Sequence, residues 1–317
     1  MKKIDFNNKT CIYLDQFVIS DIIEAKNPLW SQIKNLLEIN HTRGNIYCPV
    51  SIEHILETVK KDLKGAIKHD SYYRKLSDNY LFKTEPFLTS QLISSLIRKN
   101  KFTLNTFLQE AKLREVDEIY SDINKNNEIF DESLKYKLSG QNDLRRLLSP
   151  RQSNKSKSQL MKVIKAMEVE NFKNRLEEYI KVKSLRIRAD NYGKHQFPNW
   201  IDQILFQLTN KHKFKEKHFR ILLSELKRSG FNRIPTLNIK YSIGAYLAVE
   251  NKQENTGDHI DLMRISSYLF SSDIFFTDKK RKYEICDLGL DKRYKTKVFS
   301  GVKNDLIEVA NLLQKML

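Results

Sequence analysis

Four short apolar runs, rich in β-branched and aromatic residues, stand out along a chain whose other apolar positions recur every three or four residues. CIYLD (11–15), NIYCPV (45–50) and DIFFTD (273–278) are compact and bounded by polar residues, and KTKVFS (295–300) is a weaker fourth. Runs that are continuous rather than alternating predict strands buried on both faces, as in a parallel sheet. Each is coupled to a helical pattern: 17–39 after the first, 51–68 after the second, 259–270 before the third and 302–317 at the C-terminal end. Alternation of this kind predicts an α/β fold, with a right-handed parallel sheet sandwiched by helices.

The pattern changes between about 70 and 235. LTSQLISSLIRKNKFTLNTFLQEAKLREVDEIYSDI and QLMKVIKAMEVENFKNRLEEYIKVKSLRIR space their apolar residues by three and four with charges between, which predicts surface or bundle helices. Pro150 with RQSNKSKSQ, and the stretch NYGKHQFPNW, read as loops. No repeat of fixed period is present. The expected organisation is a discontinuous α/β domain, 1–69 and 236–317, carrying a large all-α insertion over 70–235.

Composition narrows the class. With 317 residues, 40 % hydrophobic and 10 % aromatic, the chain can build a core, which excludes wholesale disorder. No run approaches the roughly 18 to 20 apolar residues that cross a bilayer, and Asp15 breaks the first apolar stretch, so the N-terminal segment does not read as a signal peptide. Cys11, Cys48 and Cys286 are widely spaced and odd in number; they fit neither a disulfide framework nor a zinc motif, and imply a reducing, cytoplasmic setting. Cys11 and Cys48 lie inside apolar runs and read as small core residues. Fifty-six Lys and Arg against 39 Asp and Glu leave a net charge of +17. Such a field recruits polyanions, of which nucleic acid is the commonest in cytoplasm. A membrane surface is not expected as a partner, since no basic amphipathic terminal helix is evident.

Ligands of parallel α/β sheets bind at the carboxyl ends of the strands. Asp15 ends the first run and Asp278 the third. Asp258 and Asp261 lie on the first turn of the helix that leads into the third run, and Glu57 sits on the helix after the second. Carboxylates gathered on one edge repel one another unless a cation sits among them. An all-oxygen donor set suits Mg²⁺ or Mn²⁺, which can hold a phosphate and generate hydroxide from water. Each acid also has a structural reading. Asp15 can cap the helix expected from Phe17, Asp258 can be an N-cap, and Asp261 can answer the helix dipole. Asp278 can be a turn residue and Asp273 a cap or turn before the strand. Asp261 is preferred to Asp258 as the inner ligand. Glu57 is preferred to Glu53, being better aligned with Ile52, Ile55, Leu56 and Val59.

The order strand-Asp, strand and helix with Glu, helix with Asp, and strand ending in Thr-Asp resembles the PIN-like nucleases. YLDQFVISDI, YCPVSIEHILE and GDHIDLMRISSYLFSSDIFFTDKK carry the resemblance. The second is similar to a bacterial subgroup with a Pro-x-Ser-x-x-His-x-x-Glu motif, matched by Pro49, Ser51, His54 and Glu57. The third matches that subgroup's Asp-x-x-Asp helix and Asp-(apolar)₃-Thr-Asp strand through Asp258, Asp261, Asp273, Thr277 and Asp278. The resemblance spans about 70 residues at the two ends of the sequence. It implies an endonuclease cutting single strands, RNA more than DNA, with one or two Mg²⁺ or Mn²⁺ ions on Asp15, Glu57, Asp261 and Asp278. Bacterial members often serve as toxins or in defence against phage, so a homo-oligomer or a neutralising partner protein would fit. His54 is expected to pack structurally or to meet a phosphate or water, Thr277 to hold a metal-bound water or cap the turn, and Asp273 to support the site.

Lys279, Lys280, Arg281 and Lys282 follow Asp278 directly and are expected to meet the phosphates flanking a cut. KHKFKEKHFR (211–220), RQSNKSK (151–157) and KSLRIR (183–188) are further basic stretches, with a solvated face as their ordinary explanation. Phe214, Phe219, Tyr192 and Trp200 are interleaved with cations and either stack on bases or belong to a core. The alternative to a nuclease is an inactive nucleic-acid- or protein-binding module on the same fold. An Asp-nucleophile phosphohydrolase is disfavoured, because Phe17 stands where a second Asp is wanted and no phosphate-cradling Gly-rich loop is present.

Overall fold

The computed structural model describes residues 6, 8–101, 106–110, 116–147, 154–182 and 186–317. In chain order the elements begin β1 (Thr10–Tyr13), α1 (Gln16–Ile23), α2 (Pro28–Thr42), β2 (Ile46–Tyr47), α3 (Ile52–Thr58), α4 (Leu63–Ser77), β3 (Tyr80–Phe82) and α5 (Glu85–Arg98). There follow β4 (Leu108–Glu110), the long helices α6 (Val116–Leu147) and α7 (Asn154–Val182), then β5 (Ala189–Tyr192) and β6 (His195–Pro198). Next come α8 (Trp200–Asn210), α9 (Glu216–Ser229), α10 (Pro235–Val249) and α11 (Thr256–Tyr268). The last are β7 (Ile274–Phe276), α12 (Lys279–Asp287), α13 (Leu290–Tyr294), β8 (Lys297–Phe299) and α14 (Lys303–Lys315). Two compact units result: Met1–Lys83 with Thr103–Asn127 and Tyr268–Leu317, and Thr84–Phe102 with Glu128–Ser267. Their limits differ from the expected 69/70 and 235/236, since residues 70–83 and 103–127 fall with the sheet and 236–267 with the helices.

All four expected runs form strands, shorter than the runs themselves, in one parallel sheet of order β2-β1-β7-β8. Successive side chains alternate between faces. Ile12, Ile274, Phe276 and Phe299 join Val18, Ile22, Trp30, Ile33, Leu37, Leu306, Val309 and Leu313 in a core beneath α1, α2 and α14. On the other face the Tyr13 ring lies 4.6 Å from Phe275, 5.0 Å from His54 of α3 and 5.5 Å from Tyr268. Helices thus flank the sheet, as the continuous apolar runs predict. Cys11 and Cys48 are buried core residues, and burial pushes the Cys11 thiol up to about 12.

Two expected helices are each broken in two. Asn27 accepts from the Trp30 amide at 3.2 Å and Pro28 opens α2, so a new helix starts inside 17–39. Asp62 accepts from the Gly65 amide at 2.7 Å and starts α4 inside 51–68 in the same way. The short antiparallel pair β3–β4 has no counterpart among the expected elements.

The second unit is helical apart from one hairpin. Phe172, Leu176, Ile204, Leu208, Phe219, Leu222 and Leu237 form its core with Phe214. NYGKHQFPNW is a hairpin rather than a loop: Tyr192 pairs with His195 across a two-residue turn, and Gly193 supplies the required positive φ of 62°. Residues 154–159 of the expected loop RQSNKSKSQ belong to α7, while 151–153 and, in KSLRIR, 183–185 lie outside the described residues. Asp202, fully buried, accepts from Arg175 Nε and Nη2 at 2.5 and 2.9 Å and from the Arg188 amide at 2.8 Å, tying α7 to the start of α8. Among the described residues no helix is long and apolar enough to cross a membrane.

Candidate acidic site at the carboxyl edge of the sheet

The chain leaves β1 to one side for β2 and returns on the other side as β7, so the strand order reverses between β1 and β7. The carboxyl ends of strands at such a reversal are where α/β sheets place their ligands. The register pairs Tyr13 with Phe275. Continued by two residues it brings Asp15 level with Thr277, with Asp278 one position beyond, on strands about 4.8 Å apart. Asp15 is buried and its Oδ1 accepts from the Gln16 amide at 2.7 Å, capping α1. Asp278 is half-buried and its Oδ1 accepts from the Arg281 amide at 2.9 Å, capping α12. Both acids are therefore helix caps as well as strand-end carboxylates.

α3 presents a different face from the one expected. Its buried positions are Glu53, His54, Ile55 and Thr58, while Glu57 is half-buried. Glu53 accepts a hydrogen bond from the buried Tyr268 hydroxyl at 3.0 Å. Burial and the Glu53 charge push the Tyr268 pKa well up, so the phenol remains a donor. Of the apolar positions Ile52, Ile55, Leu56 and Val59 that point to Glu57, Ile55 and Val59 are buried while Ile52 and Leu56 are only half-buried; the hydrogen bonds of Glu53 and His54 bring those two side chains inward instead. His54 is fully buried. A carbonyl can only accept, so His54 Nε2–H donates to Leu14 O at 2.8 Å, and Nδ1 accepts from the Ser51 amide at 3.0 Å. Both ring nitrogens are thereby used, and the histidine fixes the peptide just ahead of Asp15. Gln16, not singled out in the sequence, makes a similar tie: its side chain bonds Thr58 at 3.3 Å and the Tyr73 hydroxyl at 2.7 Å.

Other expected contributors lie elsewhere. Asp273 precedes β7 at its amino end, where its carboxylate accepts from the Cys11 amide at 2.8 Å. Five residues of extended chain, roughly 16 Å, separate it from Asp278, so it does not support that edge. Thr277 is buried and its amide continues the sheet by donating to Phe299 O at 3.0 Å. Asp258 and Asp261 stand on α11 and belong to the helical unit, whereas Asp15, Glu57 and Asp278 belong to the sheet unit. Asp258 and Asn255 cap one another reciprocally, at 2.9 and 3.1 Å, and Asp261 lies 3.4 Å from Arg264.

The basic run after Asp278 splits. Lys279 and Lys280 are exposed. Arg281 is fully buried with Nη1 2.5 Å from Glu284, so it is an internal counter-ion rather than a phosphate contact. Lys282 holds Asp305 at 2.7 and 2.8 Å. Burial alone would raise the Asp305 pKa; Lys282 and Ser300 overcome it and hold the carboxyl low. Phe214 and Phe219 are core residues, whereas Tyr192 and Trp200 are partly exposed.

The donor chemistry of the edge suits a hard cation, since Mg²⁺ keeps several waters and takes only one or two protein carboxylates. Among the described residues, no three His, Cys, Asp or Glu side chains are grouped so as to hold an ion. Comparison with known proteins returns no matching family profile, curated protein or solved structure.

Proposed function

We propose that the chain is a Mg²⁺- or Mn²⁺-dependent endonuclease of the PIN-like type, cutting single-stranded RNA in the cytoplasm. The observation that carries this reading is the placement of Asp15 and Asp278 at neighbouring strand ends on either side of the strand-order reversal. Glu57 on α3, like Asp258 and Asp261 on α11, enters through the sequence pattern alone. When bound, the ion would supply hydroxide and neutralise charge on the scissile phosphate. Asp15 and Asp278 hold their carboxylates still because each also caps a helix. His54 fixes the peptide leading to Asp15, and Lys279 and Lys280 draw in phosphates on either side of the cut. A role as toxin or phage-defence effector belongs to the same proposal.

A labelled single-stranded RNA incubated with Mg²⁺ or Mn²⁺ should be cut by the wild-type chain and spared by Asp15→Asn and Asp278→Asn. Asn caps helices as well as Asp, so both variants should keep the fold. Wild-type protein that cuts neither RNA nor DNA with either metal ends this reading. The second reading, a nucleic-acid-binding module, is favoured by the capping roles of Asp15, Asp258 and Asp278. It predicts salt-dependent binding without cleavage.

A further inference from the structure

The helical unit carries a half-open cavity of about 740 Å³, within the range of small-molecule sites. It is bordered by α6, α7, α10, the start of α8 and the β5–β6 hairpin. Gly244 lies on its α10 wall. A glycine inside a helix is less favourable than alanine. Yet a Cβ built at Gly244 meets no atom within 4 Å, so no packing neighbour demands its absence. What the glycine preserves is open space.

Three kinds of group face that space. The first is aromatic: Tyr192, Tyr241 and Trp200 are partly exposed, with the Trp200 and Tyr241 rings 5.9 Å apart. The second is cationic. Lys137 Nζ lies 5.3 Å from the Tyr192 ring centre, and among the described residues no carboxylate stands within ion-pair distance of it. The third is a carboxylate. Glu254 Oε2 is held by Arg145 at 3.0 Å and lies 3.9 Å from His259 Nδ1, while Glu254 Oε1 is buried with no hydrogen-bond partner among the described residues. Burial alone would raise the Glu254 pKa; His259 and Arg145 overcome it and hold the group at about 2. Its Oε1 is therefore an ionised acceptor without a hydrogen bond, on a buried side chain that borders the cavity.

Aromatic faces stack on bases of any identity. A carboxylate in a pocket takes ribose hydroxyls, as the acidic residue of dinucleotide folds does. A lysine that makes no close ion pair takes phosphate. We propose that this cavity binds one ribonucleotide, with its base against Trp200 and Tyr192, its ribose hydroxyls on Glu254 and its phosphate on Lys137. The source is either a free mononucleotide or one residue of a single strand. The proposal stands apart from the cleavage reading, because Asp15, Glu57 and Asp278 take no part in it.

Calorimetric titration of the full chain with the four nucleoside 5′-monophosphates, the matching nucleosides and a short oligoribonucleotide tests it. A monophosphate should bind saturably, and its nucleoside about tenfold or more weaker, for loss of a charge-assisted hydrogen bond. Lys137→Met should bring the monophosphate down to the nucleoside and leave the nucleoside unchanged. The 2′-deoxy form should bind more weakly than the ribo form. Gly244→Leu, which fills the space on a helix that accepts leucine readily, should abolish binding while circular dichroism shows an intact fold. Binding of the oligonucleotide alone, lost in Gly244→Leu, assigns the pocket to a strand residue. Absence of binding by every probe overturns the proposal. So does a folded Gly244→Leu protein that binds like wild type.

Discussion

His54→Ala isolates what the buried imidazole does. The ring has no exposure, donates to Leu14 O at 2.8 Å and accepts from the Ser51 amide at 3.0 Å. Truncation orphans one carbonyl and one amide, each costing about 1–3 kcal/mol when buried. Lost ring contacts with Tyr13 and Tyr73, at 5.0 and 4.7 Å, add to this; such contacts are worth about 1 kcal/mol. A water entering the polar void returns part of the loss, leaving a net destabilisation of roughly 3–5 kcal/mol. Urea unfolding followed by Trp30, which sits in the sheet core, in a Trp200→Phe background should show this as a lower midpoint with an unchanged slope. At low temperature, where the variant stays folded, any RNA cleavage by the wild type should survive in large part. A variant as stable as wild type that has lost cleavage would refute the reasoning and make His54 a participant in the chemistry.

Arg281→Ala should cost about 3–5 kcal/mol, because it removes the guanidinium 2.5 Å from the buried Glu284 carboxylate and breaks a buried ion pair. Lys279→Ala and Lys280→Ala should instead leave melting unchanged and each lower the salt slope of RNA binding by about 1; an Arg281 variant of native stability with the same binding defect would return it to the surface. Glu254 predicts the acid response of the helical unit. Its folded pKa of about 2 lies below the ordinary 4.5, so the unfolded chain takes up the proton first. That stability, up to about 3 kcal/mol, is present above pH 4.5 and is lost as pH falls toward 2. The His259 pKa, lowered by burial, starts the same decline below 6.5. Denaturation at stepped pH should show this slope, and Glu254→Gln should flatten the lower part of it.

The sheet was legible because its strands are unbroken apolar runs, a pattern few other structures tolerate. Its helix breaks were legible in principle: Asn27-Pro28 and Asp62 are cap signals that the apolar periodicity runs through without pausing. The hairpin at Gly193 was masked by the absence of β-branched residues in ADNY and HQFP, leaving the Gly-Lys turn as its one cue. Asp15 and Asp278 were readable as strand ends, and capping then emerged as a role they hold together with that position. The Arg281–Glu284 pair was not readable, because an i, i+3 ion pair looks the same in sequence whether it lies in water or in a core. The exchange of Glu57 for Glu53 on the buried face has a related cause. Over the seven residues of α3 the face is set by which polar groups find partners, and those partners come from 40 and 215 positions away.

The central strand β1 is satisfied on one side by β2 and on the other by β7, more than 260 positions later. During synthesis, β1 must therefore wait with an open edge until the ribosome has delivered Ile274. The same delay holds for α2, whose Asn40 side chain donates to Leu313 O at 2.9 Å. An exposed apolar strand edge is a template for pairing with other chains. Nascent protein stalled before residue 274 should thus be the species most dependent on chaperones, and premature termination there should yield aggregate rather than a smaller folded product.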